Sequence, residues 1–386
     1  MVGLSCETKS NTKRGGFLSM CKDILSCDDH SVKVSLKEEI DQLCATAEIG
    51  TGEILEDVSA SGRVRPWAEM KKQNLKMADL FNIARGYAES DLFGLARDGA
   101  ADSVIRLSAL TRLRKCSDFL YYGILEDGRK KLLKADFCKH RLCPLCTWRK
   151  SMKMFHQVAV ITNAIGSSGE KVRYLFLTLT IRNVRGDELT HALDTLNKGF
   201  AYLTSKSKTF APAKRLKENL LGYYRATEIT YHGEKGRDDF HPHLHVVLAV
   251  KPSYFGRGYI KQSVWREIWQ QAIGADYLPQ VDVKAITMTP NAVAEVSKYP
   301  LKPTDLLSEK VDKDKAARAL TWLAPSIRGR RFVTFGGIFH KYKRLLSLDD
   351  VETGDLVNTD GGDDEKLNFV AIQMYQYHAR LGVYIC

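Results

Sequence analysis

Several features that would restrict the function of this chain are missing from its 386 residues. No run of about 18 uncharged apolar residues occurs, and residues 1–30 lack the apolar stretch of a secretory signal peptide. We therefore expect a cytoplasmic protein with no membrane contact. No G-x-x-x-x-G-K-[ST] motif is present, so the chain encodes no P-loop ATPase. The nine cysteines are an odd number, which argues against a disulfide framework and favours metal ligation.

Positive charge is concentrated in the middle of the chain. The formal net charge is +12, but residues 104–348 hold 43 basic and 21 acidic residues, whereas both flanking parts are acidic. A basic centre between acidic ends is typical of a protein whose central module touches nucleic acid. Solvated lysine-rich helices are the alternative explanation. The hydrophobic content of 44% predicts folded domains rather than disorder.

The apolar pattern predicts an α+β fold in which helices flank an antiparallel β-sheet. Strands rich in β-branched and aromatic residues are predicted over residues 173–181, 224–232, 245–250 and 281–287. Helices are predicted over residues 35–46, 67–97, 101–113, 150–165, 188–205 and 261–273. A further helix begins at Asn291 and is interrupted by Pro300. Short hairpin-like links between the strands favour the antiparallel arrangement.

Three histidines alternate along the segment FHPHLHVVLAV, residues 240–250. If this segment is extended, His241, His243 and His245 share one face of a sheet. Imidazoles from one strand can take two positions around a divalent ion, and a carboxylate can take a third. Glu228 is the acid that a hairpin would place across from the histidines. Surface histidines with structural partners are the alternative.

A second chemically capable group lies in NAVAEVSKYPLK, residues 291–302. On a helix, Glu295, Tyr299 and Lys302 would lie on one face. A phenol with a pKa of about 10 is a weak nucleophile at neutral pH, so attack on a phosphodiester needs a metal and a cation such as Lys298 or Lys302. Glu295 can serve as a general base towards water. An ordinary solvent-exposed helix face is the alternative.

Four cysteines, Cys116, Cys138, Cys143 and Cys146, have spacings compatible with a tetrahedral zinc ion. His140 competes for the fourth position, and unligated buried thiols are the alternative. An all-cysteine set leaves no open coordination position, so this zinc would be structural. It would support a basic surface able to contact phosphates, formed by Arg141, Arg149, Lys150 and Lys153.

Three motifs together resemble those of a known superfamily. FLTLT (176–180), HPHLHVVLAV (241–250) and EVSKYPLK (295–302) are similar in order and content to the motifs of HUH endonucleases. The resemblance is strongest to the rolling-circle replication initiators of small bacterial plasmids, of the single-tyrosine, glutamate type. The cysteine cluster and the strand TEITYH also resemble features of that group. The resemblance covers about residues 110–340 and implies an RRM-like HUH fold with a small zinc-ribbon-like element.

The resemblance also implies a metal-dependent nicking and closing enzyme. His243 and His245 would bind Mg²⁺ or Mn²⁺, with Glu228 as the third ligand. Tyr299 would cut one strand at the double-strand origin, keep the 5′-phosphate, and leave a 3′-hydroxyl for the host polymerase. Glu295 would activate water at the terminating cleavage.

The remaining site residues, Lys298 and Lys302, are predicted to contact DNA. Because the chain has no P-loop, unwinding would fall to a host helicase.

The resulting domain division has four parts. Residues 1–103 form a variable, partly helical extension, 104–165 the cysteine-rich element and a helix, 166–348 the catalytic domain, and 349–386 an acidic linker and C-terminal segment. Residues 349–366 are expected to be a solvated linker or loop. Two other functions stay open: a transposase or mobilisation relaxase, and a non-enzymatic zinc-ribbon DNA-binding regulator.

Overall fold

The computed structural model describes residues 52–59, 62–89, 107–205, 211–234, 236–297, 302–359 and 369–386. All of them belong to one unit, Glu48–Cys386. The helix predicted over residues 35–46 lies outside the described residues. None of the helices in the described ranges is both long enough and apolar enough to span a bilayer.

Helices and strands alternate along the described chain, which confirms the α+β prediction. The helices are α1 (Trp67–Glu89), α2 (Leu107–Lys115), α3 (Pro144–Ser167), α4 (Leu189–Thr204), α5 (Ala211–Asn219), α6 (Gln262–Ile273), α7 (Pro290–Val296), α8 (Lys313–Ser326) and α9 (Ile338–Leu345). The strands are β1 (Phe119–Leu125), β2 (Lys130–Ala135), β3 (Arg173–Thr180), β4 (Leu220–His232), β5 (Asp239–Val250), β6 (Val281–Ile286), β7 (Val333–Gly337), β8 (Phe369–His378) and β9 (Val383–Ile385).

The larger of two sheets is antiparallel throughout, in the strand order β6-β3-β5-β4-β7. Side chains in β3 alternate between buried leucines and half-buried Phe176 and Thr178, as a strand covered unequally on its two faces requires. Helix α4 packs on the leucine face, where Phe200 meets the Tyr223 ring at 4.8 Å. On the opposite face, α3 meets β4 through Tyr224, whose hydroxyl lies 3.0 Å from the Met154 sulfur.

The smaller sheet is also antiparallel, in the order β2-β1-β8-β9. Its inner face is buried around Asp57, which accepts hydrogen bonds from the Tyr122 hydroxyl (2.8 Å) and the Trp67 indole nitrogen (2.7 Å). This sheet pairs residues 119–135 with residues 369–385, so two parts that the domain division separates share one sheet. The pairing joins segments about 250 residues apart, and no local sequence pattern indicates it.

Helix α3 begins at Pro144, six residues before the predicted start, and it continues through Gly166. Cys143 is its N-cap and accepts a hydrogen bond from the Cys146 amide at 3.4 Å, while Pro144 occupies the first turn, where its missing amide costs nothing. The first turns carry Arg149 and Lys150, which are each 1% exposed. Because charged residues are usually found at the surface, the sequence indicates a polar segment here rather than the start of a buried helix.

These basic residues do not form the predicted phosphate-contacting surface. Arg149 donates to the carbonyl oxygens of Leu356 (2.9 Å) and Val357 (2.6 Å), and Lys153 pairs with Asp349. Buried ammonium and guanidinium groups need such partners because an unpaired charge in the interior is costly.

The acidic segment is correspondingly not a solvated linker over residues 349–359. Val351 and Leu356 are 2% and 1% exposed, and Glu352 accepts the backbone amides of Phe332 (2.7 Å) and Val333 (3.2 Å). Glu352 also pairs with Arg141 at 2.8 Å. The segment therefore connects α3 to the β7 edge of the large sheet.

Candidate functional site

Glu228, His243 and His245 meet on one face of the large sheet. The β4–β5 register places Glu228 directly opposite His243, and the period of two puts His245 on the same face. The Nε2 atoms of the two histidines are 3.2 Å apart, and Oε2 of Glu228 lies 3.7 Å from that of His243 and 3.0 Å from that of His245. The three side chains predicted as ligands are thus brought together.

Neighbouring groups fix the orientation of both imidazoles. His243 Nδ1 donates to the carbonyl oxygen of His241 at 3.1 Å, so its Nε2 carries the lone pair that a metal ligand needs. The ring of His245 stacks on Phe176, with centroids 5.6 Å apart and planes 10° from parallel, and its Nδ1 lies 3.4 Å from the Thr178 hydroxyl. Phe176 and Thr178 belong to the FLTLT motif, which therefore has a positioning role here.

The donor set fits a divalent ion. In an octahedral Mg²⁺ site with bonds of about 2.0–2.1 Å, adjacent ligand atoms are about 2.9 Å apart. The three observed separations of 3.0, 3.2 and 3.7 Å are close to that value. The two imidazoles and the carboxylate would hold the ion and leave positions for water and phosphate oxygens.

Electrostatics keep the carboxyl of Glu228 ionised. Burial raises its pKa, but the neighbouring His243, His245 and Lys302 lower it by more than burial raises it, so the net pKa lies well below the usual range. Lys302 pairs with Oε1 of Glu228, and although burial opposes the change, this bond raises the pKa of Lys302. The Lys302 ammonium, which is predicted to contact DNA, therefore lies beside the triad formed by Glu228, His243 and His245, and it stays charged.

The expected continuous helical face of Glu295, Tyr299 and Lys302 is not observed. Helix α7 ends at Val296, and Lys302 lies beyond it, at the start of a 3₁₀ turn, Pro303–Leu307. Pro300 is unfavourable for a helix that continues to Lys302, since proline disfavours helix at the residue before it and cannot donate a helical hydrogen bond. Glu295 is exposed on α7 and its charge contributes to the raised pKa of Lys302. Lys298 and Tyr299 lie outside the described residues.

The sequence analysis did not predict the polar side chains of Asn183 and Asp239, which lie next to the three candidate metal ligands. His241 does not belong to the cluster of Glu228, His243 and His245. Its Nδ1 donates to Oδ1 of Asn183 at 2.7 Å, and the Asn183 amide donates to Asp239 at 2.9 Å. Asn183 lies three residues beyond β3. The sequence gives one local indication of Asn183, which is that a polar residue comes just after the strand that contains the FLTLT motif.

The four predicted cysteines also come together. Sγ of Cys116 lies 3.5 Å from that of Cys146 and 3.7 Å from that of Cys143, and Cys138 lies 3.7 Å from Cys146. Zn–S bonds of about 2.3 Å in a tetrahedron separate the sulfurs by about 3.8 Å. The separations match that geometry, and all four thiols are free of disulfides.

His140 does not compete for this cluster. Its ring packs edge-on against Phe81 at 5.2 Å, its Nδ1 accepts the Leu142 amide at 3.2 Å, and burial lowers its pKa to about 4. The buried Lys71 holds the other side of the cluster by donating to the carbonyl of Cys116 at 2.8 Å. Lys71 is one charged residue of an amphipathic helix, so the sequence does not indicate that it is buried or that it contacts the cysteine cluster.

Comparison with known proteins identifies the family. Residues 129–385 match the family described as replication protein. The chain belongs to the replication protein family. It is 34% identical over 352 residues to "Protein rep" of Bacillus amyloliquefaciens, covering 86% of this chain and 97% of that protein. It is also 34% identical over 321 residues to "Protein rep" of Streptococcus pneumoniae, covering 81% and 89%.

The replication protein match extends further towards the C-terminus than the motif resemblance, which ends at about residue 340. The match continues past residue 340 through the acidic segment and the C-terminal strands, which agrees with their packing against the rest of the chain. A shorter relative, "Replication protein" of Staphylococcus aureus, is 34% identical over 222 residues, covering 54% of this chain and 89% of its own. No solved structure gives a significant match.

Proposed function

We propose that this replication protein initiates plasmid rolling-circle replication by nicking and rejoining one strand at the double-strand origin. The observation that supports this most is the convergence of Glu228, His243 and His245 beside Lys302 in a chain of the replication protein family. The arrangement combines metal ligands and a fixed cation, as phosphoryl transfer requires.

Tyr299 is the proposed nucleophile. It is three residues from Lys302, whose ammonium contacts Glu228. The raised pKa of Lys302 supports a role for its ammonium in favouring a nearby phenolate and in contacting phosphate.

In the proposed reaction the phenolate oxygen of Tyr299 attacks the scissile phosphorus, and the bond from phosphorus to the 3′-oxygen breaks. The departing oxygen takes up a proton and leaves as a 3′-hydroxyl for a polymerase. A bound Mg²⁺ or Mn²⁺ would polarise the phosphate. The resulting 5′-phosphotyrosine conserves the phosphodiester bond energy, so a 3′-hydroxyl can reverse the step without ATP.

Termination is assigned to Glu295. Its carboxylate would accept a proton from water as the water oxygen attacks the phosphotyrosine and the Tyr299 oxygen leaves. Its exposed position on α7 and its electrostatic influence on Lys302 support a place near the same phosphate.

A denaturing gel tests the proposal. An origin oligonucleotide labelled at its 3′ end is incubated with the protein and Mn²⁺, and the label should migrate with the protein. Tyr299→Phe should abolish the adduct, whereas Tyr259→Phe, which changes a tyrosine that is 55% exposed, should retain it. If the wild-type protein binds a verified origin without forming an adduct, the proposal fails and the regulatory alternative takes its place.

A further inference from the structure

The outer face of the small sheet carries three aromatic rings in a row. Phe119 and Tyr121 are half-buried and alternate with fully buried residues in β1. The next position on that face is Gly123, where an added Cβ would lie 2.4 Å from the Phe369 ring, so this ring covers the glycine. Same-face positions in a strand are about 7 Å apart. Phe119 and Tyr121 therefore project from β1 about 7 Å apart, and the Phe369 ring from β8 lies over the next position, Gly123.

Lysines run alongside these rings. Strand β2 places Lys134 opposite Tyr121 and Lys131 opposite Gly123, and the Lys134 ammonium lies 5.9 Å from the centroid of the Tyr121 ring. No Asp or Glu occurs in any of the four strands of this sheet. The charge of the strands is therefore entirely basic, which suits a partner that carries phosphates.

This face also carries apolar side chains, beside an exposed Gln376 that lies opposite Phe119. Met374 lies opposite Tyr121, and Ile54, which is 54% exposed, pairs with Ile385 at the far edge of the sheet. Apolar surface of this kind beside lysines favours a ligand with both flat apolar groups and negative charge.

We propose that this outer face, formed by Phe119, Tyr121, Phe369, Lys131 and Lys134, binds single-stranded DNA. Bases stack on the three rings and phosphates lie along the lysines. The ring spacing is about twice the 3.4 Å separation of stacked bases in a duplex strand, so the bases must be unstacked, which a single strand permits and a duplex does not. The site is separate from the Glu228, His243 and His245 triad, and only the choice of DNA as the nucleic acid rests on the proposed function.

The test measures binding without cleavage. Fluorescein-labelled oligothymidylate, which lacks any origin sequence, is titrated with the full chain in buffer without added divalent metal and followed by anisotropy. Stacking contributes about 1–3 kcal/mol per base, which corresponds to about 5- to 150-fold in affinity. We expect Phe119→Ala and Tyr121→Ala each to weaken binding by at least about fivefold. Tyr121→Trp keeps an aromatic ring at this position and should bind with about the wild-type affinity. The matched control is Tyr259→Ala, which removes an exposed tyrosine elsewhere and should also bind as the wild-type protein does.

Two results would overturn the inference. The first is wild-type affinity in both alanine variants, with their origin nicking intact to show that they are folded. The second is self-association of the wild-type protein in sedimentation equilibrium that Tyr121→Ala abolishes, because the face would then be a contact between two copies. A wild-type protein that binds oligothymidylate but forms no adduct with origin DNA would refute the proposed function and leave this site standing.

Discussion

Replacing Arg149 by Met tests whether the basic residues of α3 stabilise the acidic segment rather than bind DNA. Arg149 is 1% exposed and its guanidinium lies 5.2 Å from the Trp67 ring and 5.5 Å from the Trp148 ring. Methionine keeps much of the stem packing but leaves the carbonyls of Leu356 and Val357 without their donors. Two charge-assisted hydrogen bonds at about 1.5–3 kcal/mol each, partly offset by relaxation, predict a loss of about 3–5 kcal/mol in the free energy of unfolding.

Urea unfolding followed by tryptophan fluorescence measures this loss, because two of the indoles touch the substituted side chain. Arg129→Met is the matched control, since the Arg129 side chain is 76% exposed and its removal should leave stability unchanged. Origin affinity and its dependence on salt should be unaltered in folded Arg149→Met. A stability change below about 1 kcal/mol together with a shallower salt dependence would show that Arg149 contacts phosphate, and would refute the reasoning.

Three further predictions concern the metal sites and turnover. Cys143→Ser should lower the zinc content per chain and the stability, because it removes one of four sulfurs spaced for tetrahedral zinc; unchanged zinc by mass spectrometry would contradict a four-cysteine site. Glu228→Gln should weaken Mn²⁺ binding at least about tenfold in electron paramagnetic resonance titrations, whereas Asp276→Asn, at an 84% exposed carboxylate, should not; equal affinities would remove Glu228 from the ligand set. Glu295→Ala should nick origin DNA but stay covalently attached after one round, and normal multiple turnover would exclude its role in activating water.

The sequence was sufficient to predict the centre of the site because the determinants are local. A period of two fixes the face on which His243 and His245 lie, and the short hairpin between β4 and β5 sets the register that brings Glu228 opposite them. The cysteine cluster was similarly predictable from spacing. Zinc and divalent metal at these two positions remain predictions that the geometry supports.

The sequence did not predict features that depend on distant partners. Buried Lys71 and Arg149 resemble surface charges until the carbonyls that accept their hydrogen bonds are known. In the small sheet, β1 pairs with β8, which is about 250 residues further along the chain. The acidic composition of residues 349–359 predicts a solvated segment, but burial of Val351 and Leu356 holds it against the rest of the protein. Lys302 lies beyond the end of α7, which agrees with the predicted interruption of this helix at Pro300 rather than with a helical face that continues to Lys302.

The central claim is that Tyr299 becomes covalently joined to DNA, and tandem mass spectrometry tests it most directly. The protein is incubated with an origin oligonucleotide and Mn²⁺, digested with protease and nuclease, and the peptides carrying a nucleotide are sequenced. The account predicts a phosphodeoxynucleotide on Tyr299 and on no other tyrosine, with none after Tyr299→Phe. A nucleotide on a different residue, or free nicked DNA with no modified peptide at any time point, would contradict it.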